Sequence, residues 1–279
     1  MSASAQIQPD LIIDVGAHNG DDTAHYLQRG FRVVAIEANP SLAGAITTRF
    51  REEIASGTLT VLNVAIAPER GRLPFWVSDE KSVLSSLDRD LVDKHGVRSH
   101  RIDVDCMPFA DVLRTHGIPY YLKVDIEGHD RVCLDALEAP ACPPYVSCEL
   151  THVGGVIEQL HSIGYRGFKL VNQGTYTEAT PVFDNEIGFR ALRKLCGIVP
   201  GLKRALPNGV RADFDTFAEE QRYSFPQGSS GPFGEDTHGP WRSADDALRR
   251  YEAIRDRFAA AGAPAEECWY DVHAKYPAA

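Results

Sequence analysis

Residues 11–22, with the sequence LIIDVGAHNGDD, restrict the fold of this chain more than any other segment. An apolar run ends at Asp14, a loop follows that contains Gly16 and Gly20, and a second apolar run, VVAI, ends at Glu37. This order predicts a strand, a glycine-containing loop, a helix and a second strand, the opening unit of a Rossmann-like nucleotide site. Glu37 follows Gly16 by 21 positions, about the spacing at which such folds place a carboxylate against a ribose diol.

The charges around this loop, residues 16–20 and here called the glycine loop, indicate which nucleotide it holds. A dinucleotide site needs the spacing Gly-x-Gly-x-x-Gly for close approach to a pyrophosphate, but the third loop position is His18. Asp14, Asp21 and Asp22 surround the loop, and three carboxylates would repel a pyrophosphate but attract a cation. S-adenosylmethionine offers an ammonium group, a sulfonium, an adenosine diol and one carboxylate. We therefore predict a methyl-donor site in preference to a nicotinamide site.

Length and composition fit one large α/β domain or two small ones. The chain has 279 residues, 43% of them hydrophobic, and no apolar run reaches transmembrane length. Its polar start lacks the apolar core of a signal peptide, so we expect a cytoplasmic protein. The six cysteines form no Cys-x-x-Cys pair, which favours reduced thiols over a zinc cluster or a redox dithiol.

The formal net charge of −10 argues against a nucleic-acid surface. Residues 190–211 differ from the rest of the chain, because they contain six arginine and lysine residues and no acid. Such a segment can receive an anionic substrate, for instance a phosphate-bearing carrier, or rest on a membrane surface. It can equally form an ordinary solvated face, and the sequence leaves these alternatives open.

Strands and helices alternate through the first half of the chain, which predicts a parallel sheet with helices on both faces. The predicted strands cover residues 11–15, 32–37, 58–66, 73–77, 101–106, 120–128 with the following loop, 145–150 and 168–172. Helices are predicted after Gly20, from Pro40, from Pro108, after Gly128 and over 156–163.

Residues 172–243 interrupt this alternation with many proline, glycine, serine and aromatic residues. A segment of this length without periodic elements is typical of a functional lid or a disordered linker, and its aromatic residues favour an ordered lid. Ser243 is predicted to cap a helix that runs to Ala261, and CWYDVHA to form a last strand that returns to the sheet. We expect a single domain, residues 1–279, in which 172–243 is a substrate-facing insertion.

Five motifs follow one another between residues 11 and 150, namely DVGAHNG, VAIEANP, NVAI, LKVDIEGHD and SCEL. With them the chain resembles the FkbM-type methyltransferases, and the later segments SSGPFGED and WYDVHA resemble extended members of that family. The resemblance implies the Rossmann-like α/β fold of class I methyltransferases, with a mostly parallel seven-stranded sheet and an antiparallel last strand. It also implies O-methylation of a hydroxyl on a natural product, sugar or glycan by S-adenosylmethionine.

The glycine loop is predicted to bind the methionine end of the donor. Gly16 and Gly20 allow close backbone approach, and the amides of Ala17 and His18 would bind the methionine carboxylate. Asp14 would face the donor's ammonium group.

The ends of the second and third predicted strands are assigned to the adenosine end. Glu37 would accept hydrogen bonds from both ribose hydroxyls, and Ala38 and Asn39 would lie beside the adenine. Asn63 and Ala65 stand where a class I site places the adenine wall, although the same residues equally fit a plain buried strand.

The methyl-transfer chemistry is predicted at the end of the strand YYLKV and in the turn that follows. Asp125, Glu127 and His129 gather there, and Glu149 ends the neighbouring strand, at the edge of an α/β sheet where ligands bind. Methyl transfer requires alignment of donor and hydroxyl and the removal of one proton, which a carboxylate or histidine can accept. Alternatively, Asp125 orients the donor, Glu127 caps a helix and His129 is a surface residue.

His273 is a further catalytic candidate, because it pairs with Asp271 on the last predicted strand; a structural histidine is the alternative. Asp125, Glu127 and Glu149 could also hold Mg²⁺ as in catechol-type methyltransferases. No histidine or cysteine spacing indicates zinc, and we predict no bound metal.

The rival functions are a non-catalytic module that binds S-adenosylmethionine and a nicotinamide-dependent oxidoreductase. The expected partner is a small-molecule or glycan acceptor, either free or on an anionic carrier. Nucleic acid is not expected, and neither is a transmembrane segment.

Overall fold

The computed structural model describes residues 6–94, 96–126, 128–150, 155–173, 229–260 and 270–277, together with 176, 178, 195, 198, 199, 201, 202, 225 and 226. Its strands are β1 (Ile7–Val15), β2 (Arg32–Ile36), β3 (Leu59–Leu62), β4 (Ala65–Ile66), β5 (Gly71–Ser78), β6 (Ser99–Met107), β7 (Ile118–Val124), β8 (Tyr145–Glu149), β9 (Gly167–Asn172) and β10 (Tyr270–Lys275).

Seven of these strands form one sheet in the order β3-β2-β1-β7-β8-β10-β9. Neighbouring strands are parallel except for β10, which is antiparallel to both β8 and β9. The predicted sheet and its antiparallel last strand are therefore confirmed. The chain order reverses between β1 and β7, so the carboxyl ends of these two strands flank the switch point at which open α/β sheets bind ligands.

The segment 58–66 was predicted as one strand, and this prediction is wrong. The segment breaks after β3, and β4 joins β6 in a second sheet of order β4-β6-β5. The break lies at Asn63, whose side-chain Nδ2 donates to the carbonyl oxygens of Glu37 and Ala38, at 2.8 and 3.1 Å. The two other predicted strands in this region are confirmed as parts of β5 and β6.

The described helices are α1 (Asp21–Gln28), α2 (Pro40–Arg49), α3 (Arg51–Ser56), α4 (Arg89–Lys94), α5 (Phe109–His116), α6 (Asp130–Leu134), α7 (Gly155–Ile163) and α8 (Ala244–Ala260). The predicted start at Pro40 is confirmed, and the Asn39 side chain caps α2 by accepting from the Ser41 amide at 2.9 Å. Ser243 caps α8 by accepting from the Asp246 amide at 3.3 Å. In the described part of the chain, no helix combines the length and apolar character that crossing a bilayer requires.

Helices cover both faces of the main sheet, as predicted. On one face, side chains such as Ile13 and Leu122 form a core with α5, α6, α7 and α8. On the other face, Ile12 and Tyr121 pack with α1, α2 and Phe233. Because side chains alternate along a strand, the second face also carries Asp14 and Lys123, two positions farther along β1 and β7.

The later described part of the predicted insertion packs on this second face. The Phe233 ring stacks on Tyr121, with 4.7 Å between ring centroids, and meets Tyr26 edge-on at 5.3 Å. Lys169 donates from Nζ to the Thr237 carbonyl oxygen at 2.7 Å. Most of residues 174–228 lie outside the described residues, so the substrate-facing role of 172–243 stays a prediction.

Candidate active site

The glycine loop connects β1 to α1 and is held against the end of β7. Gly16 and Gly20 have φ angles of 82° and 80°, a region that glycine adopts without strain. A Cβ atom at Gly16 would lie 1.8 Å from the Asp125 carbonyl oxygen, and one at Gly20 would lie 2.8 Å from the Phe50 ring. Packing within the chain therefore already requires glycine at both positions. The sequence analysis had explained the two glycines by close approach of the backbone to a ligand.

Two amides of the glycine loop already have acceptors within the protein. The Ala17 amide donates to the Ile36 carbonyl oxygen at 3.0 Å, and the His18 amide donates to Glu37 Oε2 at 2.8 Å. Each N–H carries one hydrogen. The predicted presentation of these two amides to a methionine carboxylate is therefore not the arrangement in the structure.

Glu37 lies directly after β2 and is 7% exposed. Its Oε2 accepts from His18, and its Oε1 accepts from the Asn39 amide at 2.8 Å. Burial raises the pKa of Glu37 to about 7, although these two amide donors act in the opposite direction. A carboxylate oxygen has two lone pairs, so each oxygen keeps the capacity for one further donor.

The residues assigned to adenine lie together beside Glu37. Asn63 holds the backbone at Glu37 and Ala38, as described above, and Ala65 is buried in a small core against which Ala38 packs. The ends of β2 and β3 therefore meet where the sequence predicted the adenosine end of the donor.

Lys123 on β7 is the site residue that the sequence interpretation missed. Its side chain is 4% exposed, and its Nζ donates to the Gly16 carbonyl oxygen at 3.0 Å. The same Nζ lies 3.3 Å from Asp14 Oδ1 and 3.5 Å from carboxylate oxygens of Asp22 and Asp125. Burial opposes its charge, but these carboxylates raise the pKa of Lys123 well above its usual range.

The glycine loop is therefore less negative than the sequence indicated. Lys123 faces Asp14 and Asp22, and Arg49 pairs with Asp21 at 2.7 Å. Asp14 is fully buried and accepts from the Thr23 hydroxyl at 2.7 Å, so its side chain lies beneath the loop. A lysine inside the apolar run YYLKV was the available signal, since an unpaired charge is costly in such a position.

Lys123 belongs to a row of buried polar residues that crosses five strands. Strand register places Asp14 beside Lys123, Lys123 beside Ser147, Ser147 beside His273, and His273 beside Lys169. All five side chains are buried. The row runs one layer below the carboxyl-end edge of the sheet.

Three acidic residues lie at that edge. Asp125 follows β7 with its side chain 41% exposed, and Glu149 ends β8 opposite Asp271 on β10. Burial, then Asp125 and Asp130, raise the pKa of Glu149 to about 8. Burial, with Asp125 and Glu149, raises the pKa of Asp271 well above its usual range. The predicted gathering of Asp125 and Glu149 is thus present, with Asp271 beside them.

Asp130, at the start of α6, is a second residue that the sequence interpretation missed. Its Oδ1 accepts from the Ile126 amide at 3.2 Å, and burial and Asp125 raise its pKa to about 7. Asp130 is 3% exposed at the first position of the short helix α6, and the motif LKVDIEGHD does not show this burial.

The remaining catalytic candidates are placed differently. His129 is half-buried at the start of α6, and its Nδ1 has no hydrogen-bond partner among the described residues. His273 is 1% exposed in the polar row, and burial and Lys169 lower its pKa to about 3, so it is neutral at physiological pH. Glu127 lies outside the described residues.

Two further features considered from the sequence are a metal site and the basic segment 190–211. Among the described residues, no three His, Cys, Asp or Glu side chains have the arrangement of a metal site. The basic segment 190–211 lies largely outside the described residues, and within it Leu195, Ile198 and Val199 are exposed.

The family model of the methyltransferase FkbM domain matches residues 14–177, more than half of the chain. Solved structures also match, among them the following two. Precorrin-6y C5,15-methyltransferase from Geobacter metallireducens GS-15 is 17% identical, with 60% of this chain and 71% of that chain covered and a TM-score of 0.32. Phosphoethanolamine N-methyltransferase 2 from Haemonchus contortus, in complex with S-adenosyl-L-methionine, is 9% identical, with 98% and 50% covered and a TM-score of 0.38. No curated protein matches.

Proposed function

Because the chain belongs to the FkbM family of S-adenosylmethionine-dependent methyltransferases, we propose that it methylates a hydroxyl of a sugar, glycan or other natural product. The observation that carries this proposal is the state of Glu149, whose carboxyl group has a pKa raised by burial to about 8. A hydroxyl must lose a proton as it attacks a methyl group, whereas a neutral amine attacks through a free electron pair. A carboxyl group with raised proton affinity beside Asp125 therefore favours a hydroxyl acceptor.

The adenosine end of the donor is assigned to the ends of β2 and β3. Glu37 fits this role because each of its oxygens retains a lone pair for one ribose hydroxyl. Ala38, Asn63 and Ala65 would form the adenine wall, supported by the hydrogen bonds that join Asn63 to the backbone after β2. When bound, S-adenosylmethionine supplies an electrophilic methyl group on a sulfonium.

The methionine end is assigned to the glycine loop. Gly16, Ala17, His18 and Gly20 would surround it, supported by the position of this loop at the switch point of the sheet. Asp14 would act indirectly, because its buried carboxylate contacts Lys123 beneath the loop.

Glu149 is proposed to accept the proton of the acceptor hydroxyl, with Asp125 orienting the reacting groups. Glu127 and His129 remain candidates for contact with the acceptor. His273 is proposed as a neutral support beneath the edge, because its burial and its pKa of about 3 fit that role better than proton transfer.

Three further features of the function are also proposals. Residues 172–243 would face the acceptor, supported by the packing of Phe233 beside α1. The basic residues of 190–211 would receive an anionic carrier of the acceptor. The third is a cytoplasmic location.

Turnover with labelled S-adenosylmethionine on a panel of hydroxyl and amine acceptors tests the proposal. We expect transfer to hydroxyls, with a rate that rises with pH toward the pKa of Glu149 near 8 and persists in the presence of a chelator. Glu149→Gln should lower turnover about 100-fold or more and leave donor affinity within about twofold.

Other results would contradict the proposal. Transfer to amines alone would overturn the hydroxyl assignment, and donor binding without transfer would favour the non-catalytic alternative. Loss of activity with chelator, restored by Mg²⁺, would reverse the prediction of no metal. Family membership already argues against the nicotinamide alternative.

A further inference from the structure

Lys123 lies at the centre of a network that joins the glycine loop to three carboxylates. Its ammonium group donates to the Gly16 carbonyl oxygen at 3.0 Å and lies within 3.5 Å of Asp14, Asp22 and Asp125. We propose that Lys123 is a positioning residue for the methyl donor, because it fixes the backbone of the glycine loop and the Asp125 carboxylate relative to each other. This inference rests on the proposed donor site.

The contact with Gly16 distinguishes Lys123 from an ordinary buried ion pair. Gly16 has a φ of 82° and lies against the Asp125 carbonyl, so the loop has little room to shift toward β7. The Lys123 ammonium group also holds this loop, because it donates a hydrogen bond to the Gly16 carbonyl oxygen. Its contact with Gly16 is a hydrogen bond at 3.0 Å, and its contacts with Asp14, Asp22 and Asp125 are ion pairs at 3.3, 3.5 and 3.5 Å.

The network extends beyond the glycine loop to a distant segment of the chain. Asp22 is 5% exposed and accepts hydrogen bonds from the Ser229 hydroxyl and from the Ser230 amide, the latter at 3.0 Å. Ser230 is 208 positions away in sequence. Lys123 therefore contacts, through one carboxylate, the part of the chain that covers the N-terminus of α1.

Lys169 provides a matched control within the same polar row. It is also buried, at 2% exposed, and its Nζ donates to the Thr237 carbonyl oxygen at 2.7 Å and to the Thr237 hydroxyl at 2.9 Å. Removal of either lysine takes a buried ammonium group out of the polar row, and Lys123 differs in having three carboxylates within 3.5 Å. The glycine loop is contacted by Lys123, and the described contacts of Lys169 are made elsewhere.

The experiment compares Asp14→Asn with the double variant Lys123→Met/Asp14→Asn, in which no buried Asp14 charge is left without its partner. Donor affinity is measured by calorimetry with S-adenosylmethionine and without acceptor. We expect the double variant to bind at least about tenfold more weakly than Asp14→Asn, about 1.4 kcal/mol. Hydrogen exchange at the Gly16 and Ala17 amides, both bonded to Ile36, should be faster. Lys169→Met should change donor affinity by less than about twofold.

Equal donor affinity in the double variant and in Asp14→Asn would overturn the proposal, as would an equal loss in Lys169→Met. A measurement on the unmodified protein decides the question if the double variant does not fold. The ammonium resonance of Lys123 should shift when S-adenosylmethionine binds, while that of Lys169 stays unchanged. An unchanged Lys123 resonance at saturating donor would reject the positioning role.

The proposed donor site and the role of Lys123 can fail separately. If Glu37→Ala leaves donor affinity unchanged, the proposed donor site itself is wrong. If Glu37→Ala weakens donor binding while the double variant does not, the donor site stands and the role of Lys123 is wrong.

Discussion

A single carboxyl group, Glu37, shows how burial and hydrogen bonding set the properties of the proposed donor site. Two backbone amides orient its oxygens, while the surrounding core makes its ionised form costly. The pKa of Glu37 is raised by burial from 4.5 to about 7, so the group titrates near neutrality. This titration must appear in the stability of the protein.

Glu37→Gln tests that titration. Between the unfolded pKa near 4.5 and the folded pKa near 7, the folded chain binds more protons than the unfolded one. The contribution of Glu37 to the stability of the folded protein is therefore complete below pH 4.5 and is lost as pH rises through 7. We expect the unfolding free energy of the wild type, relative to Glu37→Gln, to fall by roughly 1–3 kcal/mol between pH 4.5 and 8. Chemical denaturation at several pH values measures this difference.

Glu235→Gln is the control for the sign. Hydrogen bonds from Lys275 and Trp241 lower the pKa of Glu235 to about 2. Its contribution is therefore present above pH 4.5 and is lost as pH falls toward 2, the opposite direction. If the difference in unfolding free energy between the wild type and Glu37→Gln does not change with pH, the raised pKa of Glu37 is wrong.

The spacing of Glu37 from Gly16 could be read from the sequence, because it depends on one local β-α-β unit. The role of Lys123 could not, because it depends on the register of β7 against β1. Asp130 was missed for a different reason, since its burial depends on where the short helix α6 begins. Residues at strand ends, such as Asp125 and Glu149, were predictable because parallel strands end at one edge of the sheet, whereas Lys123 inside β7 was not.

At the scale of elements, the glycine loop depends on its contact with β7 as much as on its own conformation. Gly16→Ala would place a Cβ atom 1.8 Å from the Asp125 carbonyl oxygen. Gly30→Ala is the matched control, because Gly30 has a similar φ of 85° and open space where its Cβ would lie. The two variants share the cost of a positive φ and differ in the close approach.

We expect Gly30→Ala to lower the unfolding free energy by about 1 kcal/mol and Gly16→Ala to lower it by about 3 kcal/mol or more. Gly16→Ala should also weaken donor binding, because the end of β7 must move away from the loop. Chemical denaturation and calorimetry measure the two effects. If the two variants lose the same unfolding free energy, the close approach of Gly16 to Asp125 does not contribute to the cost of Gly16→Ala.

Sequence patterns located most of the strands and helices but not every pairing between them. The start of α2 followed from Pro40, and β10 followed from the apolar segment near the C-terminus. The segment 58–66 looked continuous because its apolar residues do not show that β3 and β4 belong to different sheets. The division lies at Asn63, whose side chain donates to the carbonyl oxygens of Glu37 and Ala38, directly after β2.

At the scale of the whole molecule, the sheet and the described end of the insertion share one aromatic cluster. Phe233 is 3% exposed, stacks on Tyr121 and contacts Tyr26 and Phe31 edge-on. Arg29 lies over its ring at 5.6 Å. These contacts join residues on α1 and β7 to a segment late in the chain, so we infer that this segment folds with the sheet as one cooperative unit.

Phe233→Ala tests whether the segment and the sheet unfold together. Loss of a buried phenylalanine costs about 3–5 kcal/mol, so the main unfolding transition should shift by that amount and stay single. Val83→Ala, at a side chain that is 48% exposed, should change the unfolding free energy by less than about 0.5 kcal/mol. Denaturation followed by both fluorescence and circular dichroism measures the shift. If the main transition stays in place while the segment becomes sensitive to protease, the segment is a separate folding unit, and a substrate-facing role for it would not depend on the integrity of the sheet.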